Sequence, residues 1–137
     1  MSYGMAAALQ SAVYARLGAD PSLAAVVGEA IYDALPEGAL PALYVVLGAE
    51  EVRDASDQTG QGAEHRFVIS VVSDHAGFAA AKAAAAAISD ALVDASLPLD
   101  RGRLVALNFA KARALRVGTG AQRQINLTFH ARVSDDT

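Results

Sequence analysis

The side chains able to do chemistry in this chain are few and scattered. There are three histidines and no cysteine in 137 residues. Without a thiol there is no Cys nucleophile, no disulfide and no thiolate zinc site. His65 and His130 fall in strand-like runs, and His75 stands at a helix start. None lies at ligand spacing from another histidine or a carboxylate. Glu64 and His65, as neighbours in a strand, point to opposite faces. Each histidine therefore reads as a satisfied structural or surface residue. Asp54 and Asp57, with Gly60 beyond them, share two features with a calcium loop. The ligand series is incomplete, however, and the closing glutamate is missing. Gly60 and Gly62 do not lead into a helix, so they form no phosphate cradle. Ser2, Ser11 and the other serines lack both an elbow motif and a nearby base. No catalytic, cofactor-binding or metal-ligating residue is expected, and no cofactor.

Charge is more informative than chemistry. The net charge of −4 conceals two unlike regions. Residues 1–100 carry four basic and thirteen acidic side chains; residues 101–137 carry seven basic and two acidic. A basic C-terminal region is a possible nucleic-acid footprint. The plainer reading puts these arginines on the solvent face of two strands, since stacking aromatics are absent. Acidic and basic surfaces on one chain also suit head-to-tail contact between copies, which can close a ring.

The hydrophobic fraction of 53 % is enough for a packed core. The length suggests one domain spanning residues 1–137. No signal peptide or membrane span is expected.

The positioning elements follow from periodicity. In Met5–Leu17, Leu9, Val13 and Leu17 share one helical face, and Gly18 is a natural stop. Asp20–Pro21 starts a short helix that runs to about Val27, with Asp20 as N-cap and Pro21 at the first helical position. Ala30–Asp33 reads as a short strand or edge piece, and Leu35–Pro41 as a loop. Ala42–Arg53 begins as an apolar run covered on both faces and then alternates towards solvent, with Glu50–Glu51 at a strand end that is solvated unless something basic docks there. Ser56–Ala63 is a polar, glycine-bearing loop, longer than an ordinary hairpin turn. Glu64–Ser73 alternates as a second, antiparallel strand, with His65, Phe67, Ile69 and Val71 on one face.

Asp74 is the expected N-cap of a helix from about Ala76 to Val93, on which Phe78, Ala81, Ala85, Ile88 and Leu92 share a face. Its alanines favour the helix and let it lie close to a sheet. Leu104–Val117 and Gln122–Val133 form a last hairpin around Gly118-Thr119-Gly120. On the odd face of the first of these strands, Val105, Leu107 and Phe109 give way to Lys111 and Arg113. Its middle must leave the core, through a bulge or by projecting beyond the sheet. The expected fold is α+β: an antiparallel sheet of about four strands, helices packed on one face, in the order helix–short helix–hairpin–helix–hairpin.

From end to end the chain resembles the tail-terminator, or tail-completion, family of long-tailed phages and phage-like gene transfer agents. The resemblance is carried by ALQSAVYARLGADPSLAAVVG, AIYDALPEGALPALYVVLG, DASDQTGQGAEHRFVISVVS, GFAAAKAAAAAISDAL and GRLVALNFAKARALRVGTGAQRQINLTFHARV, in that order. These motifs are compositional rather than chemical, and the family has no catalytic residues to transfer.

The resemblance implies a structural virion protein at the tail–neck junction, assembled in the bacterial cytoplasm. It would form a homo-hexameric ring that caps the head-proximal end of the tail tube and stops its polymerisation. Its partners would be its own copies, the major tail tube protein and the head–neck connector or stopper, with DNA passing through without sequence preference. On that expectation, Arg53, Asp54, Asp57, Gln58, Thr59 and Gln61 form a loop that meets the tube or the next subunit. Glu50, Glu51 and Asp54 face the lumen. Lys111, Arg113, Arg116 and Arg123 contact a partner or a neighbouring subunit. The alanine- and arginine-rich usage favours a gene transfer agent. The competing readings are a small α+β ligand-binding or enzymatic dimer, and a nucleic-acid-binding module built on Arg101–Arg132.

Overall fold

The computed structural model describes residues 3–56, 61–118 and 122–135. Three helices and five strands follow one another as α1 (Ala6–Gly18), α2 (Pro21–Val27), β1 (Ile31–Tyr32), β2 (Leu43–Asp54), β3 (Gly62–Ser73), α3 (Ala79–Leu92), β4 (Arg103–Arg116) and β5 (Arg123–Ser134). The sheet order is β1-β2-β3-β5-β4. All neighbours are antiparallel except β1, which runs parallel to β2. The fold is thus α+β as expected, but the sheet is mixed and has a fifth strand. That strand is the short Ala30–Asp33 piece: Ile31 and Tyr32 align with Val45 and Val46.

The helices lie on one face of the sheet, and a single core joins them to it. Leu9, Val13 and Leu17 of α1, Leu23 and Val27 of α2 and Ile88 and Leu92 of α3 pack over Val45, Ile69, Val71 and Leu127. Phe129 is fully buried, stacked on Phe67 at 5.8 Å and edge-on to Phe109 at 6.0 Å. Ala81, Ala84, Ala87 and Ala91 are all buried on α3. Small side chains there let the helix approach the sheet, so backbone proximity replaces side-chain bulk. Arg16 of α1 donates from Nε to the carbonyl of Ala91 at 3.0 Å, satisfying one free carbonyl at the end of α3.

Local chemistry explains the helix ends. The Asp20 carboxylate accepts from the Leu23 amide at 2.9 Å, with Pro21 in the first turn, and Gly28 ends the helix at φ 62°. Asp74 does not cap α3. The helix begins three residues later than expected, at Ala79, because Gly77 sits at φ 77° and breaks the turn. Asp74 instead extends the sheet, its amide donating to the Ala42 carbonyl at 2.9 Å.

Three bulges set which side chains face the helices. Leu47 pairs with Ile69, but the next registered pair is Glu50 with Phe67, so one extra residue is accommodated at Gly48–Ala49. Beyond it, Glu50 and Val52 join the covered face and Glu51 and Arg53 the open one. In β4, shifts between Leu104 and Ala106 and between Phe109 and Lys111 have the same effect. The second moves Lys111 and Arg113 to the open face and brings Ala112 and Ala114 beneath. The bulge expected in the middle of this strand is therefore present. Thr119 and Gly120 of the last turn lie outside the described residues.

Candidate assembly surfaces

Glu50 does not stand in solvent. The bulge carries it to the covered face, where its carboxylate side chain is 18 % exposed and lies 3.0 Å from Nδ1 of the fully buried His65. A carboxylate only accepts, so the Nδ1 hydrogen points at it. Tyr3 donates its hydroxyl to the other carboxylate oxygen at 2.7 Å. This bond, followed by the carboxylate's charge, raises the Tyr3 phenol above its ordinary pKa. His65 Nε2 is buried with no hydrogen-bond partner among the described residues. The expectation of a solvated Glu50 is thereby corrected. The His65–Glu50 pair itself was invisible to sequence spacing. The residues stand on adjacent strands, and without the bulge strand parity would have set them on opposite faces.

Neighbouring Glu51 remains exposed on the open face, where its Oε1 accepts from Arg53 Nε at 3.2 Å. Asp54, at the end of β2, accepts from the Ser56 hydroxyl at 2.7 Å. That bond holds its pKa below the usual carboxylate range. The three acids grouped by sequence are therefore divided between two faces. Of the expected contact loop, Asp57, Gln58 and Thr59 lie outside the described residues, as do Gly60 and Ser2. The base of this loop is tied down: the Ala55 amide donates to the Gly62 carbonyl at 2.9 Å, and the Asp135 amide to the Gln61 carbonyl at 2.9 Å. A Cβ on Gly62 would come within 3.0 Å of the Ala55 carbonyl oxygen and 3.1 Å of the Val133 oxygen, so a side chain there would crowd both backbone carbonyls.

The sheet face opposite the helices has no helix over it. Tyr44, Val72 and Ala30 form a small apolar cluster at one end. The rest is polar. Arg66 donates from Nε to His130 Nε2 at 2.8 Å, Ser70 donates to Asn126 at 2.7 Å, and Arg132 reaches the Ala55 carbonyl at 3.0 Å. Lys111 and Arg113 project from this face on the outermost strand, and both are exposed. Arg123 lies apart from them, at the start of β5, with its guanidinium 5.5 Å from the Phe78 ring centre. The expected basic contacts are thus split, with Arg123 turned towards the helix side.

No arrangement for catalysis emerges. The cavity under the β2 bulge is about 30 Å³, room for about one water. A shallow groove of about 280 Å³ runs between α3 and β4 over Phe109, Ala112 and Ala114. Among the described residues, no three His, Asp or Glu side chains converge as a metal site. Among the described residues, no helix is long and apolar enough to cross a membrane.

Among the described residues the domain offers an uncovered sheet face and open strand edges. Comparison with known proteins supplies its class. Residues 11–134 match the family described as tail completion protein gp17. The chain is also similar to a chain in a solved structure titled "Virion of native gene transfer agent (GTA) particle". That match has 62 % identity, a TM-score of 0.93, and covers 97 % of this chain and 99 % of the other. No curated protein matches. The chain belongs to the tail completion protein gp17 family; it is a structural protein of a phage-type tail and not an enzyme.

Proposed function

We propose that this chain is the tail terminator of a gene transfer agent. Six copies would close a ring on the head-proximal end of the tail tube, stop tube polymerisation and receive the head–neck connector, while DNA passes through the centre. The observation that carries this reading is the nearly full-length similarity to a chain of a gene transfer agent virion. The charge distribution supports it, because acidic and basic regions on one chain favour heterologous contacts that close under rotation. Of the three acids the lumen-facing one would be Glu51, on the open face, since Glu50 is held by His65 and Asp54 follows the alternation of the covered face. Acidic groups there would hold passing DNA weakly.

The test is copy number in purified tailed particles, measured by quantitative mass spectrometry against the major tube protein. The expected result is about six copies per particle, the number of the proposed ring, which closed cyclic symmetry would hold fixed from particle to particle. Absence from particles, with the protein free in the cytoplasm, would overturn the reading.

A further inference from the structure

The two outer edges of the sheet are chemically opposite. One is β4. From Arg103 to Arg116 it carries Arg103, Lys111, Arg113 and Arg116 and no acidic residue. Its first half is partly covered, since the Asp94 amide donates to the Leu107 carbonyl at 3.0 Å. Among the described residues, no strand pairs with the outer edge of its second half, Ala110–Arg116. Phe109, at the head of that half, is 44 % exposed, and the shallow groove beneath Ala112 and Ala114 is open. The other edge is β2. Among the described residues, β1 pairs with it only at Val45 and Val46, and no other strand pairs with the outer side of Gly48–Asp54. That stretch carries Glu51, exposed on the open face beside Arg53, and Asp54 at its end, while Glu50 is turned to His65 and Tyr3.

Long open edges are normally blunted because they recruit other strands. The cations on β4 do blunt one pairing: two β4 edges repel each other. They leave the opposite edge of another copy as the complementary surface. Direction agrees as well. Strands β2 and β4 run antiparallel within one sheet, as the chain of antiparallel pairs from β2 through β3 and β5 to β4 requires. Two copies placed side by side in the same orientation therefore meet with β4 antiparallel to β2. The free half of β4 and the free half of β2 lie at opposite ends of the sheet, so pairing them staggers successive copies along the strands. Closed sheets require such a stagger, because their strands tilt against the axis.

We propose that Ala110–Arg116 of β4 is the docking edge for a second copy of this chain, which lays Gly48–Asp54 of its β2 antiparallel against it. This rests on the ring reading above and assigns its subunit contact. Only registers that keep the covered faces of both sheets on the same side are allowed, since a one-residue slip exchanges the faces. Glu51 of one copy then stands opposite Arg113 or Lys111 of the next. The apolar groove under Ala112 and Ala114 is closed by the incoming strand, with Val52 on that side.

Because the chain has no cysteine, the contact can be tested by disulfide trapping in assembled particles. Two double variants cover the two registers: Glu51→Cys with Arg113→Cys, and Glu51→Cys with Lys111→Cys. On oxidation, one of them should give a ladder of linked copies ending in a closed ring, while no single variant should give more than a trace of dimer. Normal copy number with no ladder from either double variant would overturn this contact and leave the ring reading standing. Links to a different tail protein would also overturn it. Absence of the wild-type protein from particles would instead defeat the ring reading itself.

Should the cysteine variants fail to assemble, a charge exchange decides. Glu51→Arg alone and Arg113→Glu alone should each lower incorporation at least tenfold, and the two together should restore it. Lys111→Glu, alone and with Glu51→Arg, covers the other register; normal incorporation of Glu51→Arg, or no restoration by either pair, would overturn the contact.

Discussion

Glu50 and Glu51 are adjacent in sequence and chemically alike, yet they sit in opposite environments. Glu50 accepts from Tyr3 and buried His65, whereas Glu51 is exposed beside Arg53. Removing a partner from a buried polar group costs far more than trimming a surface charge. Glu50→Ala should therefore destabilise the fold by about 1–3 kcal/mol, from the stranded His65 donor. Glu51→Ala should stay within about 0.5 kcal/mol. Urea denaturation of both variants measures the contrast.

A second residue-scale prediction concerns Asp135. Arg101 donates to it from Nε at 2.9 Å and from Nη2 at 2.7 Å, and also to the Gly4 carbonyl at 3.3 Å, joining both ends of the described chain. The guanidinium's hydrogen bonds hold the Asp135 carboxyl below its usual pKa. A lowered folded-state value stabilises above the unfolded pKa of about 3.9 and is lost as pH falls through the folded value. The melting temperature of Asp135→Asn should thus lie below wild type at neutral pH. The gap should close in acid, read by thermal melts from neutral pH downwards.

At the scale of elements, the turns and bulges carry as much information as the helices and strands. Gly102 leads into β4 at φ 65°, and a Cβ there would meet the Ser134 carbonyl oxygen at 2.3 Å and the Met5 methyl carbon at 2.6 Å. Gly38 also has a positive φ, of 91°, but faces open space. Gly102→Ala combines backbone strain with a backbone clash and should cost about 3 kcal/mol or more. Gly38→Ala carries only the conformational term, about 1 kcal/mol. Equilibrium unfolding of the two variants separates these contributions. The alternation of β5 and the Asp20–Pro21 start were readable in the sequence, because each expresses a local preference. The late start of α3 was not. It depends on Gly77 adopting a left-handed conformation and on Asp74 joining the sheet rather than capping the helix.

For the whole molecule, the proposed assembly role of the β2–β3 connection can be separated from folding. Its base is anchored by backbone bonds at Ala55–Gly62 and Gln61–Asp135. Replacing Asp57–Gln61 with a glycine linker of equal length should leave the monomer folded, by circular dichroism and melting. It should abolish tail capping, giving overlong or headless tails by electron microscopy. Normal tails would dismiss a role for the loop in capping.

The sequence by itself determined the α+β class, the order of the main elements, the division between acidic and basic regions, and the family. All of these rest on local periodicity, composition and motif order, which need no long-range contact. Only the tertiary structure decided which side chains share a face. One extra residue at Gly48–Ala49 turned Glu50 towards His65, and another near Ala110 sent Lys111 and Arg113 to the uncovered side. A bulge is defined by the strand opposite it, so the face of every residue beyond it depends on register. The parallel β1 and the opposed charges of the two sheet edges likewise exist only once the chain has brought distant segments side by side.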